Sequence, residues 1–391
     1  MPFCVDRSKF MSLRMAYSVM RWFGPSQMQW HYEHGLVLQS IFLLGLKTGR
    51  EDLCSYVKSM YDTVISPKGR ILTYRGSDFN LDQINPGKTL ILLYEKYGEE
   101  KYNIAIETLR DQIRNHPKTN SGGYWHKLIY PYQMWLDGLY MHMPFYAKYS
   151  QKYDIMSDFN DIVFQFMLIT TYAKDKKTGL LYHAWDESRQ EKWANPNTGC
   201  SSHFWGRAMG WYCMALVDTL EFFPKTLDKQ YLFLKEISKD LIPVLLKYQD
   251  EQSGLWYQVM DRGGDKDNYT ETSASSMFIY FLLKMIRLGL ISNKFFIIKL
   301  KKIIKKAYNG LLEHKLQEDN FGGIHLIDIC KVAGLGGTPY RDGSYEYYVS
   351  EPAVTDDFKG LGPFILASME MEEQGMAPVT LIFTKGKNYK L

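Results

Sequence analysis

Apolar residues recur at three- and four-residue steps through twelve separate stretches of this chain, and strict apolar–polar alternation is nearly absent. The stretches cover roughly 9–23, 29–47, 51–65, 86–97, 100–115, 132–149, 153–173, 204–222, 227–248, 271–289, 294–313 and 357–373. That period gives each segment an apolar face only as a helix, so the chain reads as all-α. The best hairpin candidate is 323–332, ahead of the Gly-rich run 334–337.

The connections alternate in kind. Tight junctions stand at Lys47-Thr48-Gly49-Arg50, Tyr97-Gly98-Glu99, Tyr149-Ser150-Gln151, Phe223-Pro224-Lys225 and Leu288-Gly289-Leu290. Long connections rich in Trp, Tyr, His, Asp and Gly fill 30–35, 73–87, 121–138, 180–206, 254–270 and 336–356. Short loops at one end and elaborate loops at the other describe helical hairpins with one functional face. Six pairs make an (α/α)6 barrel, preferred over an open α-solenoid because all six long loops carry aromatic and polar residues, as if converging on one place. No Gly/Ser- or Pro-rich linker interrupts 1–391, which is read as one barrel domain.

Composition narrows the partners. The charge is +4, from 47 basic and 43 acidic residues, which gives no nucleic-acid footprint. Cys4, Cys54, Cys200, Cys213 and Cys330 are scattered and form no CxxC pair, so neither a disulfide framework nor a zinc site is indicated. The apolar run 277–291 is broken by Lys284 and Arg287 and falls short of a membrane span. The start of the chain lacks a charged stretch followed by an apolar one, so a cytoplasmic location is expected.

The long loops carry the chemistry. In the third, Asp137 follows Trp135 and precedes Gly138-Leu139-Tyr140-Met141, with Pro144 marking a helix start or a kink. Asp137 then lies in or before the first helical turn. A carboxyl with little water around it has a raised pKa and suits proton donation; the bland alternative is a helix cap. In the second loop Asp82 precedes Pro86, a candidate first helical residue. If Asp82 faces Asp137, one of the two should titrate high; the alternative is a turn built by Asn80, Asp82 and Asn85.

The fourth loop holds His183, Trp185, Asp186 and Trp193, then Trp205-Gly206-Arg207-Ala208-Met209-Gly210-Trp211. Arg207 at a helix N-terminus makes a carboxylate site, and Trp205 and Trp211 offer stacking faces for a sugar. The alternative is inter-helix packing with Arg207 in a structural ion pair. Thr270 or Thr272 is expected to cap the tenth helix. Other features read as structural. His31 and His34 have no metal-shell companions, and Gly334-Leu335-Gly336-Gly337 lacks a dinucleotide-binding context. Stretch 295–306 is a basic amphipathic helix, read as an outer helix with a solvated lysine face in preference to a membrane-surface helix.

Together these motifs resemble glycoside hydrolase family 105, the unsaturated rhamnogalacturonyl hydrolases, which are related to the unsaturated glucuronyl hydrolases. The resemblance rests on Trp30-His31-Tyr32-Glu33, Leu81-Asp82-Gln83-Ile84-Asn85, Trp135-Leu136-Asp137-Gly138-Leu139-Tyr140-Met141, His183-Ala184-Trp185-Asp186, Phe204 through Trp211, and Trp256-Tyr257-Gln258-Val259. It runs from about Tyr32 to about Glu373.

The resemblance implies an (α/α)6 barrel and hydration of a 4,5-unsaturated uronic acid at the non-reducing end of a lyase product. Asp137 matches the family's general acid/base, donating a proton to C4 and then taking one from the water that adds at C5. Asp82 matches the second acid. Tyr32, His126, Lys127, Trp135, Met141, His183, Trp205, Arg207 and Trp211 match the sugar-pocket residues, His126 and Lys127 being assigned to the uronate carboxylate or the neighbouring rhamnose. No metal or cofactor, no nucleic-acid or membrane partner, and a monomer or weak homodimer are expected. The alternatives are an unsaturated glucuronyl hydrolase, a sugar epimerase on the same barrel, or a non-catalytic oligosaccharide-binding protein.

Overall fold

The computed structural model describes residues 10–224 and 226–377. Those residues hold thirteen α-helices: α1 (Met11–Trp22), α2 (Tyr32–Thr48), α3 (Glu51–Asp62), α4 (Gly87–Tyr97), α5 (Glu100–Asn115), α6 (Leu136–Lys152), α7 (Asp158–Ala173), α8 (Gly206–Leu220), α9 (Asp228–Lys247), α10 (Thr272–Arg287), α11 (Lys294–His314), α12 (Tyr345–Ser350) and α13 (Phe358–Glu373). Twelve are the expected helices; the short α12 was not anticipated.

Helices α2, α4, α6, α8, α10 and α13 each pack on the next, and α13 packs back on α2. The ring is therefore closed. Each inner helix is backed by an outer one, α3, α5, α7, α9 and α11 following their partners in sequence and α1 backing α13. This is the (α/α)6 barrel. Chain patterning sets the two layers. Every residue of α8 is buried, whereas α9 buries Leu234, Ser238, Leu241, Ile242 and Leu245, a single stripe at helical spacing. Gly49 and Gly98 close α2 and α4 at φ 67° and 68°, left-handed positions that suit glycine and reverse the chain into the outer helix.

Several local expectations are corrected. Residues 32–35, where the helical stretch 29–47 and the loop 30–35 overlap, form the first turn of α2. Pro86 takes the position before α4, and Pro144 lies inside α6. Glu271, not either threonine, caps α10 by accepting from the Ala274 amide at 2.6 Å. The 323–332 hairpin does not form as one unit. Its first half, β4 (Ile324–Leu326), pairs back with β3 (Leu316–Glu318), while β5 (Ile329–Cys330) pairs forward with β6 (Ala353–Val354). The remaining strands, β1 (Gln133–Trp135) and β2 (Ala184–Asp186), join the third and fourth loops. Cys54, Cys200, Cys213 and Cys330 are free and buried; Cys4 and Lys225 lie outside the described residues.

Gly206 starts α8 against the loop before α10, and a Cβ there would meet the Tyr257 carbonyl oxygen at 2.8 Å and Ala274 at 3.2 Å. A backbone oxygen cannot rotate away. Gly206→Ala is expected to lower unfolding free energy by about 1–3 kcal/mol, the usual cost of overpacking, read as an earlier denaturant midpoint.

Candidate active site

The inner helices all begin on the face that carries the long loops, and hydrogen bonds to main-chain carbonyls lace those loops together. The Trp30 indole donates to the Gln83 carbonyl at 2.9 Å. Leu81 N–H donates to His126 O at 3.1 Å, His126 N–H to Gln133 O at 2.8 Å, and Leu136 N–H to His183 O at 3.0 Å. Further round, Gly206 N–H donates to Gln258 O at 2.8 Å, and the Gln258 amide donates to Tyr348 O at 3.0 Å. All six long loops are thus fixed around the barrel mouth.

Asp137 is the second residue of α6 and does not cap it; the cap position is Trp135. Its side chain keeps 13% exposure, so it is neither turned into bulk solvent nor fully sealed away, although Oδ2 itself is buried. His183 Nε2 lies 3.1 Å from Asp137 Oδ2. Both atoms are buried and neither has a hydrogen-bond partner, the approach being off the directions a hydrogen bond requires. His183 is fully buried, and its Nδ1 is 2.8 Å from the hydroxyl of Tyr348, which fixes the ring. Tyr348 comes from α12, 165 residues away, and nothing in the sequence around it announces the contact. Burial holds its phenol well above the ordinary tyrosine range, so it remains a neutral hydroxyl.

Asp82 sits in a 3-10 turn, Leu81–Ile84, capped by Asn80. Its carboxylate pairs with the Lys127 ammonium at 2.6 Å and approaches His126 Nε2 at 3.6 Å. The Lys127 ammonium is thus paired with Asp82 in this structure. Burial pushes Asp82 up, but Lys127 outweighs burial and holds it below the ordinary carboxylate range. Burial lowers His126 to about 4, so it is neutral at neutral pH. Lys127→Met would strand that carboxylate. A loss of about 2–3 kcal/mol is expected, less than for a fully buried pair because Lys127 keeps 23% exposure. Urea unfolding of the variant checks it.

The aromatic wall is a stack. Trp135 lies flat between His126, at 4.8 Å and 13°, and Tyr130, at 5.0 Å and 12°. Tyr130 and its contacts with Trp135 and Arg341 were not foreseen. Trp205 donates to Gln258 at 3.0 Å and meets the His183 ring at 4.7 Å. Trp211 stacks on Tyr140 at 4.9 Å, and Tyr32 meets it edge-on at 6.4 Å. One face of Trp211 is therefore taken by protein, and it forms floor rather than a free stacking platform. Met141 is buried beneath, its sulfur 3.6 Å from the Asn85 amide.

Arg207 is the second residue of α8, as expected, but its guanidinium is buried. It donates to the Cys330 carbonyl, reaches Ser273 Oγ at 3.4 Å and stands 3.9 Å from Glu271. The alternative of a structural ion pair is thus present. Its Nε has no hydrogen bond. Among the described residues no group of three or more His, Cys, Asp or Glu side chains is placed to hold a metal ion.

Comparison with known proteins defines the class. The family model for Glycosyl Hydrolase Family 88 matches residues 10–374. The fold and that match together define a helical-barrel glycoside hydrolase. A family 105 glycoside hydrolase from C. acetobutylicum ATCC 824 is 46% identical, with TM-score 0.89 over 93% of this chain and 99% of that one. The chain belongs to glycoside hydrolase family 105. It is also similar to protein Atu3128 of Agrobacterium fabrum, 41% identical over 59% of this chain and 97% of that protein. The unsaturated rhamnogalacturonyl hydrolase YesR of Bacillus subtilis is 26% identical over 63% of this chain and 68% of that protein.

Proposed function

We propose that this enzyme removes a 4,5-unsaturated galacturonic acid from the non-reducing end of rhamnogalacturonan-derived disaccharides by hydrating the C4=C5 vinyl ether. The observation that supports the reading is the partly exposed Asp137 side chain at the junction of the laced loops, its Oδ2 3.1 Å from a histidine held by Tyr348. The likeness to YesR supports the choice of sugar.

In this reading Asp137 delivers its proton to C4, and the oxocarbenium-like carbon at C5 takes water. Asp137, now a carboxylate, accepts the water's proton. The C5 hemiketal then opens and the aglycone leaves. One carboxyl does the proton work in both halves of the reaction, in contrast to the two-carboxylate pattern of most glycosidases. Asp82 stays ionised beside Lys127 and holds a ring hydroxyl or the incoming water by accepting its hydrogen. His183 faces the same reacting atoms. Trp135, Trp205, Trp211, Met141 and Tyr32 shape an apolar pocket that excludes bulk water around a flat, unsaturated ring, and His126, through its place against Trp135, belongs to the same wall. Arg207 lends positive charge from below, alongside the α8 N-terminus, to the side where the uronate carboxylate lies.

The test is a panel of lyase-generated disaccharides followed by loss of the conjugated double bond's ultraviolet absorbance. The expected result is fastest turnover with rhamnose as aglycone. Faster turnover of an unsaturated glucuronyl substrate would reassign the sugar, and equal action on a saturated disaccharide would overturn the hydration chemistry.

A further inference from the structure

Helix α11 carries Lys294, Lys299, Lys301, Lys302, Lys305 and Lys306, with no acidic residue before Glu313. Its buried stripe, including Leu300, Ile304, Ala307, Tyr308 and Leu311, turns inward, and Lys302, Lys305 and Lys306 are left exposed on the opposite side. Spacings of three and four residues make them neighbours on one helix face, where like charges repel. By contrast the cluster Lys58, Lys96 and Lys101 is matched by carboxylates: Lys58 with Asp62 at 2.7 Å, Lys96 with Glu51 at 2.8 Å, Lys101 with Glu99 at 2.8 Å. Among the described residues none of the six α11 ammoniums has a carboxylate partner, and Lys306 donates to the Glu251 carbonyl.

The three exposed lysines line a groove of about 400 Å³ between α11 and the turn at Gln252-Ser253. Its other walls are Asn309, Gly310, His314 and one opposing charge, Glu313. Outer helices return to the long-loop face, and residues 252–253 open the loop that leads to α10, so the groove lies on the flank of the face that holds the active site. Apart from Gly310 the lining side chains all carry hydrogen-bonding groups, and their stems add about as much apolar surface. The exposed apolar side chains of this helix, Phe295 and Ile298, lie toward its N-terminal end, about 15 Å and about 10 Å from Lys305 by helical rise, and neither lines the groove. A bilayer-surface helix needs apolar groups running along the whole basic face, and no large apolar side chain of α11 is exposed beyond Ile298. A hydroxylated polyanion needs basic and polar groups in a trough, which is what the groove offers.

We propose that this groove is an accessory site for a polyanionic glycan, an extended strand of uronic acid units whose carboxylates rest on Lys302, Lys305 and Lys306. The choice of a uronate polymer rests on the function proposed above. The strand would be held beside the mouth without entering it, raising the local concentration of the ends that a lyase releases.

The experiment is affinity electrophoresis and titration calorimetry with saturated polygalacturonate, on the full chain and on the Lys302→Glu/Lys305→Glu double variant. Binding at low salt that fades as salt rises is expected, as is at least about tenfold weaker binding by the variant. Turnover of a small unsaturated disaccharide should stay within about twofold, since neither lysine belongs to the active site. No polymer binding by the parent chain, or equal binding by the variant, would overturn the site. So would equal binding of fully methyl-esterified polymer, or tighter binding of anionic vesicles or single-stranded DNA than of polygalacturonate. Polymer binding that depends on the lysines, in a protein inert toward every unsaturated disaccharide, would keep the groove and remove the proposed reaction instead.

Discussion

Asp137→Asn is expected to lower turnover of an unsaturated uronyl disaccharide by about three to four powers of ten while leaving the melting temperature nearly unchanged. The size follows from what general acid–base catalysis contributes, about 10²–10⁴-fold per proton transfer, here with one group serving two transfers. The fold should be indifferent because Asp137 neither caps α6 nor makes a hydrogen bond through Oδ2, and asparagine is nearly isosteric. The cost should fall on kcat more than on KM, since the proton moves in the transition state and not in the bound substrate. An asparagine variant retaining more than about a tenth of parental turnover would move the proton chemistry elsewhere in the mouth. His183→Gln separates the roles. It should weaken binding and slow the reaction together, because the ring both contacts the reacting region and is held in place by Tyr348.

Acidification is expected to destabilise the protein well before its carboxylates are protonated. Burial lowers His34, His116 and His126 to about 4 and His142 to about 3, from an ordinary value of 6.5. These groups are neutral in the folded chain at pH 5 but protonated in the unfolded one. The unfolded state therefore binds more protons across that interval, and stability rises with pH. Their contribution is complete above about pH 6.5 and is lost progressively as pH falls toward 4. Each tenfold drop in a ring's proton affinity on folding corresponds to roughly 1.4 kcal/mol, so the rings together contribute on the order of several kcal/mol. His325 works the other way: its hydrogen bond to Asp356 raises it, so its share is present at low pH and fades as pH rises through its folded value. Urea midpoints at pH 7 and pH 5 test the balance. A flat profile would mean that these rings reach water in the folded state.

The periodicity of the chain carried the barrel. Inner and outer helices were legible because a helix's burial pattern is written in contiguous residues, three to four apart, and the turn glycines Gly49 and Gly98 punctuate it. The placement of Asp137 in the first turn of α6, and of Arg207 in the first turn of α8, followed from the same local logic. What failed locally was instructive. Residues 324 and 330 both sit in extended runs, but their partners are 316–318 and 353–354, chosen by position above the barrel and not by the intervening turn. Likewise Thr270 and Thr272 have good capping chemistry, yet the buried Glu271 carboxylate reaches the Ala274 amide as well as Ser273.

The amino-acid order alone thus determined the helices, their pairing into hairpins and which ends carry chemistry, because those depend on interactions within a few residues. Only the folded ring decided the electrostatics: that Lys127 answers Asp82, that Glu271 stands by Arg207, and that Tyr348 steadies His183. Opposite charges and hydrogen-bond partners are interchangeable in sequence. Their matching is settled by distance in space, which the closure of α13 onto α2 brings about across more than three hundred residues.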